Sequence, residues 1–215
     1  EHILSAFHSL GIDNIIIELK GDNQLPILDG SSYPYAKKIV EVGKRYLNDK
    51  RMAIMVVEPH LIKSEQNDSW VLFLPPRNNL YNLRVVIDFD NVISRQEYSY
   101  TIGDVREYYR DISRARTFFI KPFSKIRWMQ FRIQFRTLPK NPKLSNIVAY
   151  TRFGFMRKLR YYNEPVRHKI IDFLGDLSLL EYDLAADIIA YKPGHDFNHY
   201  VIKKILSELN LYQRH

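Results

Sequence analysis

The stretch that decides the fold is Pro165-Val-Arg-His-Lys-Ile-Ile-Asp-Phe-Leu-Gly-Asp-Leu-Ser-Leu-Leu180, followed by Ala186-Asp-Ile-Ile-Ala-Tyr191 and Gly194-His-Asp-Phe-Asn198. The first run predicts a helix, with Pro165 near the first turn, where its missing N–H costs nothing. Ala186–Tyr191 reads as a buried strand, and Gly194 opens a final helix to about Leu209. Working outward, residues 1–10 read as a helix with Ile3, Phe7 and Leu10 on one face and Gly11 as its stop. Asn14–Leu19 reads as a strand, and Pro34–Tyr46 as a helix after the turn chemistry of Pro26–Ser32. Ala53–Glu58, Ser69–Leu74, Leu83–Phe89, Glu97–Ile102 and Asn146–Thr151 read as strands. Asp104 caps a helix to about Arg114. Lys121–Lys143 reads as a basic, aromatic insertion with some helix, and Phe155–Tyr162 as a further basic helix. This order predicts an α+β fold in two units, residues 1–50 and 51–215, with the basic insertion at about 119–145 in the second.

The chain has 215 residues and no cysteine, which excludes a disulfide scaffold, a zinc ribbon and a thiol nucleophile. No apolar run reaches the roughly 18–20 residues of a membrane span. Its formal charge of +8 is concentrated: residues 106–160 hold 15 Lys and Arg against Glu107 and Asp111, and the remainder is net acidic. Such a segment suits an anionic ligand, a membrane surface or nucleic acid, or is a solvated face. The chain opens on Glu1-His2 inside a helical pattern and without an initiator Met, so it reads as a fragment.

Any metal site must use histidines and carboxylates. His168 and Asp172 are four apart in one helix and share a face, with Asp176 one turn further. A neutral imidazole and a carboxylate are ordinary zinc ligands. Taken alone, such a pair more often makes a hydrogen bond on a helix surface. Glu1-His2 offers an adjacent carboxylate and imidazole, and Gly194-His195 sits at a strand-to-helix junction, where backbone amides are free. Thr117 lies between a basic helix end and the aromatic pair Phe118-Phe119, while Lys169 and Lys192 flank the two histidine motifs. His8 reads as a packing or surface residue and His60 and His215 as surface residues; His199, one turn past His195, reads as a surface residue or, as the lesser alternative, a support behind the site.

Five blocks in order span nearly the whole chain: Glu1-His2 with Gly11-Ile-Asp-Asn14; Pro26-Ile-Leu-Asp-Gly-Ser-Ser32; Ser113-Arg-Ala-Arg-Thr-Phe118; Val166–Leu177; and Ala190-Tyr-Lys-Pro-Gly-His-Asp-Phe-Asn198. In these blocks the chain resembles the bacterial UDP-3-O-acyl-N-acetylglucosamine deacetylase family of lipid A synthesis. The resemblance implies a two-domain, two-layer sandwich with helices packed between the sheets, the first domain incomplete here. It implies Zn2+ held by His2, His168 and Asp172, with Glu1 as general base, His195 as general acid and Asp176 as the carboxylate charging that histidine. Thr117 matches a hydroxyl that polarises the substrate carbonyl. Lys169 matches a residue at the substrate's polar head, Lys192 one near the diphosphate, and Phe118 an aromatic beside the sugar–uridine region. The implied reaction is zinc-dependent hydrolysis of the N-acetyl group of a UDP-linked acylated amino sugar, by a cytoplasmic monomer.

The chain departs from the family in four places, one of them the unusually cationic Phe155–Tyr162 helix. Phe118-Phe119 replaces the usual Phe-Gly, no glycine occurs from Thr117 to Thr151, and Asp90-Asn91-Val92 stands where Asp-His-Pro is common. A passage for the acyl chain is expected to be reshaped. An alternative is a non-catalytic relative that uses its 106–160 segment to bind an anionic ligand, membrane or nucleic acid. Tyr108, Tyr109, Trp128, Phe131, Phe135, Tyr161 and Tyr162 are interleaved with the bases, as on a stacking surface. That pattern leaves the metal-type residues unexplained, so no nucleic-acid partner is expected. The basic segment is expected to form a substrate-side surface for the anionic UDP-lipid or to make peripheral contact with an anionic membrane.

Overall fold

A computed structural model describes residues 1–21, 25–49, 51–77, 81–89, 92–120, 147–151, 154–155, 158–180 and 182–212. The expected insertion over Lys121–Lys143, and Asp90-Asn91, lie outside these residues. The order is α1 (His2–Leu10), α2 (Tyr33–Val42), β1 (Ala53–Met55), β2 (His60–Lys63), β3 (Trp70–Leu74), β4 (Tyr81–Phe89) and β5 (Ile93–Ile102). Then follow α3 (Val105–Glu107) running into a π-helical turn (Tyr108–Ile112), β6 (Phe118–Ile120), β7 (Val148–Thr151) and β8 (Gly154–Phe155). The chain continues through α4 (Glu164–Leu177), β9 (Asp183–Ala185), β10 (Asp187–Tyr191) and α5 (His195–Tyr212). The architecture is α+β.

The central sheet runs β2-β3-β10-β4-β5, with β10 parallel to β4 and antiparallel to β3. Alternation along β3 buries Val71 and Phe73, while Leu83, Val85 and Ile87 of β4 and Ile188 and Ala190 of β10 join the same core. Helix α4 supplies Val166, Ile170, Phe173 and Leu174 to that core, each fully buried and each worth roughly 1.5–3 kcal/mol on burial. Two smaller sheets pair β1 with β9 in parallel and order β6-β7-β8.

Several boundaries follow local chemistry. Gly11 ends α1 in the left-handed conformation at φ 67°, which a glycine adopts at no steric cost. The Asp104 carboxylate caps α3 by accepting from the Arg106 and Glu107 amides at 2.9 Å each. Three expectations fail. Asn14–Leu19 forms no strand, because an extended apolar run needs a partner and none pairs with it among the described residues; Ile16 is 88% exposed. Helix α2 stops at Gly43 rather than Tyr46. The expected helix over 155–162 is absent from its described part, where Gly154–Phe155 is a strand and the chain then turns around Arg160. Arg160 donates to the Arg114 carbonyl at 2.8 Å and to Asp29 at 2.9 Å, contacts that hold an irregular backbone.

Two buried polar joints fix the helices that carry the site. The Tyr108 hydroxyl lies 2.7 Å from Ser5 Oγ and 2.9 Å from Ser32 Oγ, tying α1 to the start of α2. Glu164, at the first turn of α4 and 1% exposed, accepts from Arg116 Nε at 2.8 Å, Arg116 Nη2 at 3.1 Å and the Arg116 and Arg160 amides at 2.9 and 2.7 Å. Removing one partner of a buried pair leaves a desolvated charge. Arg116→Met is therefore expected to cost about 3–5 kcal/mol in urea unfolding. A loss near zero would show that Glu164 is satisfied by the backbone amides alone.

Candidate metal centre and acid–base site

The site forms where the N-terminus of α1, the middle of α4 and the N-terminus of α5 meet. The four-residue spacing on α4 stacks His168, Asp172 and Asp176 along one side, each at most 5% exposed. His2, in the first turn of α1, crosses above them, its ring edge-on to that of His168 with centroids 4.9 Å apart. Ligand atoms of His2, His168 and Asp172 lie within 4.8 Å of one another, and so do those of Glu1, Asp172 and His195.

His168 Nδ1 is 3.0 Å from the Ala115 carbonyl, which can only accept, so Nδ1 carries the proton. Its Nε2 faces Asp172 Oδ1, 3.2 Å away. Two electron-rich atoms at that separation repel unless a proton or cation lies between them. Burial pushes the Asp172 carboxyl up, but Lys169, then His168 and His195, outweigh it and hold the group well below the usual carboxylate range. Burial pushes His2 down to about 3, with His168 adding to the effect, so its imidazole is neutral and able to ligate. The donor set of two imidazoles and one carboxylate suits zinc with a position left open.

His195, 43% exposed at the side chain, is held from behind. Its Nδ1 donates to Asp176 Oδ2 at 2.9 Å, and this bond raises its pKa, against the lowering effect of burial and with help from Asp172. Its Nε2 faces the site, 3.7 Å from Glu1 Oε1 and 3.9 Å from Asp172 Oδ2. Lys169 Nζ bonds Asp172 Oδ2 at 2.8 Å and sits 5.9 Å above the Phe118 ring. Phe118 in turn packs edge-on against His168, centroids 6.2 Å apart. Thr117, half-buried, donates its amide to the Gly30 carbonyl at 2.6 Å and accepts from the Val148 amide at 2.9 Å, which seats the Pro26–Ser32 turn against this strand.

The structure thus brings together Glu1, His2, Lys169, His168, Asp172, Asp176 and His195, with Phe118 beside them. Lys192 is more distant in its contacts: its Nζ bonds Asp68 at 2.8 Å, and its backbone, at φ 50°, turns the chain between β10 and Gly194. Sequence reasoning assigned no role to Asn198, which is 1% exposed and donates to Asp176 Oδ2 at 2.8 Å. Its signal was a polar residue on the apolar face of α5, between Phe197 and Val201. His199 Nε2 stands 3.6 Å from Asp176 Oδ1, so it borders the site rather than the surface alone.

Fold and site define an α+β protein with a buried His/His/Asp donor set, flanked by one carboxylate and one carboxylate-backed imidazole. Residues 1–207 match the family described as UDP-3-O-acyl N-acetylglycosamine deacetylase, LpxC, and the chain belongs to that family. Similar proteins include the UDP-3-O-acyl-N-acetylglucosamine deacetylases of Myxococcus xanthus (32% identical), Helicobacter hepaticus (35%) and Campylobacter curvus (34%). Each match covers 99% of this chain and 65%, 68% and 69% of the respective relative, so the chain spans about two thirds of their length.

Proposed function

We propose that this chain carries the catalytic machinery for zinc-dependent hydrolysis of the N-acetyl group of UDP-3-O-acyl-N-acetylglucosamine, giving the free amine and acetate, in lipid A biosynthesis. The observation that carries the reading is the convergence of His2, His168 and Asp172 with Glu1 on one side and the His195–Asp176 pair on the other. Zinc held by that triad would supply a Lewis acid that polarises the amide carbonyl and brings the pKa of water toward about 7. Glu1 takes the proton of the attacking water. The Thr117 hydroxyl and the charged His195 ring donate to the oxygen on which negative charge develops. His195 then gives its Nε2 proton to the leaving nitrogen, and Asp176 keeps the ring charged until it does. Lys169 steadies the Asp172 carboxylate and meets the substrate's polar head, while Phe118 and Lys192 bind toward the sugar and diphosphate.

The same reading includes a two-layer arrangement of two units, residues 1–50 and 51–215, acting as a cytoplasmic monomer. No described helix is long and apolar enough to cross a membrane. Exposed Phe155 and Tyr162, with Arg110 80% exposed and its carbonyl accepting from the Tyr161 hydroxyl at 2.6 Å, support peripheral contact between the basic segment and an anionic membrane. Elemental analysis of the full chain is expected to find about one zinc, as one triad implies. His2→Ala and Asp172→Asn should each bind it substoichiometrically while remaining folded. A well-folded wild-type chain without zinc would overturn the reading.

A further inference from the structure

The donor set is split between two helices, so its geometry depends on how closely they cross. His2 shares its side of α1 with Ser5, Ala6 and Ser9, at three, four and seven residues' spacing, and all three are small and buried. On α4 the matching position is Gly175, between Asp172 and Asp176. A Cβ built at Gly175 would lie 2.7 Å from the carbonyl carbon of Glu1 and 2.8 Å from its Cα. It would also crowd the Glu1 carbonyl oxygen, which accepts the Ser5 amide at 2.8 Å and so closes the first turn of α1. These are backbone atoms and cannot swing aside like the end of a long side chain. Gly175 is helical, so its backbone conformation does not call for glycine, and helix propensity alone favours alanine there by about 1 kcal/mol.

We propose that Gly175 is a positioning residue that seats the Glu1-His2 backbone against α4 and thereby sets the base and one metal ligand in register with His168 and Asp172. The inference rests on the reading of His2 as a ligand and Glu1 as the base. A methyl group at 175 lifts the first turn of α1 away from α4. Glu1 and His2 then move together relative to a donor pair that stays fixed.

The test is chelator-competition titration of zinc, alongside steady-state kinetics, on the full chain carrying Gly175→Ala. Zinc affinity is expected to fall about 10–100-fold, as when a ligand's support is lost. The turnover number should fall by about 10²-fold, as for a displacement near 1 Å, with KM within about twofold. Ile170→Val, a buried change on the side of the same helix that faces the central sheet, should lower Tm yet keep zinc affinity and kcat. If Gly175→Ala prevents folding, Ala6→Gly is added to relieve the crossing; the double variant should fold and still bind zinc weakly. Wild-type zinc affinity in either alanine-bearing chain, or a loss matched by Ile170→Val, overturns the proposal. Failure of the wild type itself to bind zinc would instead strike the functional reading.

Discussion

Glu1→Gln is expected to lower kcat for acetate release by about 10²–10⁴-fold, the range for loss of a general base, with folding and zinc content unchanged. The amide keeps the shape of the carboxylate but cannot take a proton from water. Glu1 is 45% exposed at its side chain, so little packing is lost. Its Oε1 stands 3.7 Å from His195 Nε2, which brings the base and the acid to bear on one small volume. Circular dichroism and zinc analysis of the variant would check that only proton transfer is removed. Turnover near the wild-type rate would take the base role away from Glu1, whereas turnover abolished by the substitution excludes the non-catalytic reading of this fold.

Asp176→Asn is the second large effect. Asp176 raises the His195 pKa, and a general acid works only while protonated. Activity is therefore present below the folded pKa of His195 and lost as pH rises through it. Without the carboxylate that limb moves to lower pH, and kcat at neutral pH falls by about 10²-fold or more. The stability effect has a matching sign. A histidine whose folded pKa is raised stabilises the fold fully below its unfolded value of about 6.5, and that stabilisation disappears as pH rises through the folded pKa. The variant's stability deficit should thus be largest in acid and shrink toward alkaline pH. A pH–rate profile with an unmoved alkaline limb would show that Asp176 does not charge His195.

The parts of the molecule legible in the sequence are those set by local spacing. His168 and Asp172 fall on one side of α4 because four residues make about one helical turn, and Asp104 and Gly11 mark helix ends by their own chemistry. The strands show where local pattern stops sufficing. Asn14–Leu19 has the composition of a strand and pairs with none among the described residues, whereas His60–Lys63, too short to signal itself, becomes β2 by pairing with β3. Asp183–Ala185 is likewise a strand only because β1 lies beside it. In the site, the residues that perform chemistry carry recognisable types, but those that hold them do not. The Ala115 carbonyl that sets the His168 tautomer, Asn198 behind Asp176 and Gly175 beneath Glu1 act through contacts distant in sequence.

The most direct measurement is quantitation of acetate and free amine from UDP-3-O-acyl-N-acetylglucosamine with the zinc-loaded full chain. Equimolar acetate and amine are expected, abolished by a chelator and restored by about one equivalent of zinc. No acetate from a folded chain holding one zinc would contradict the account.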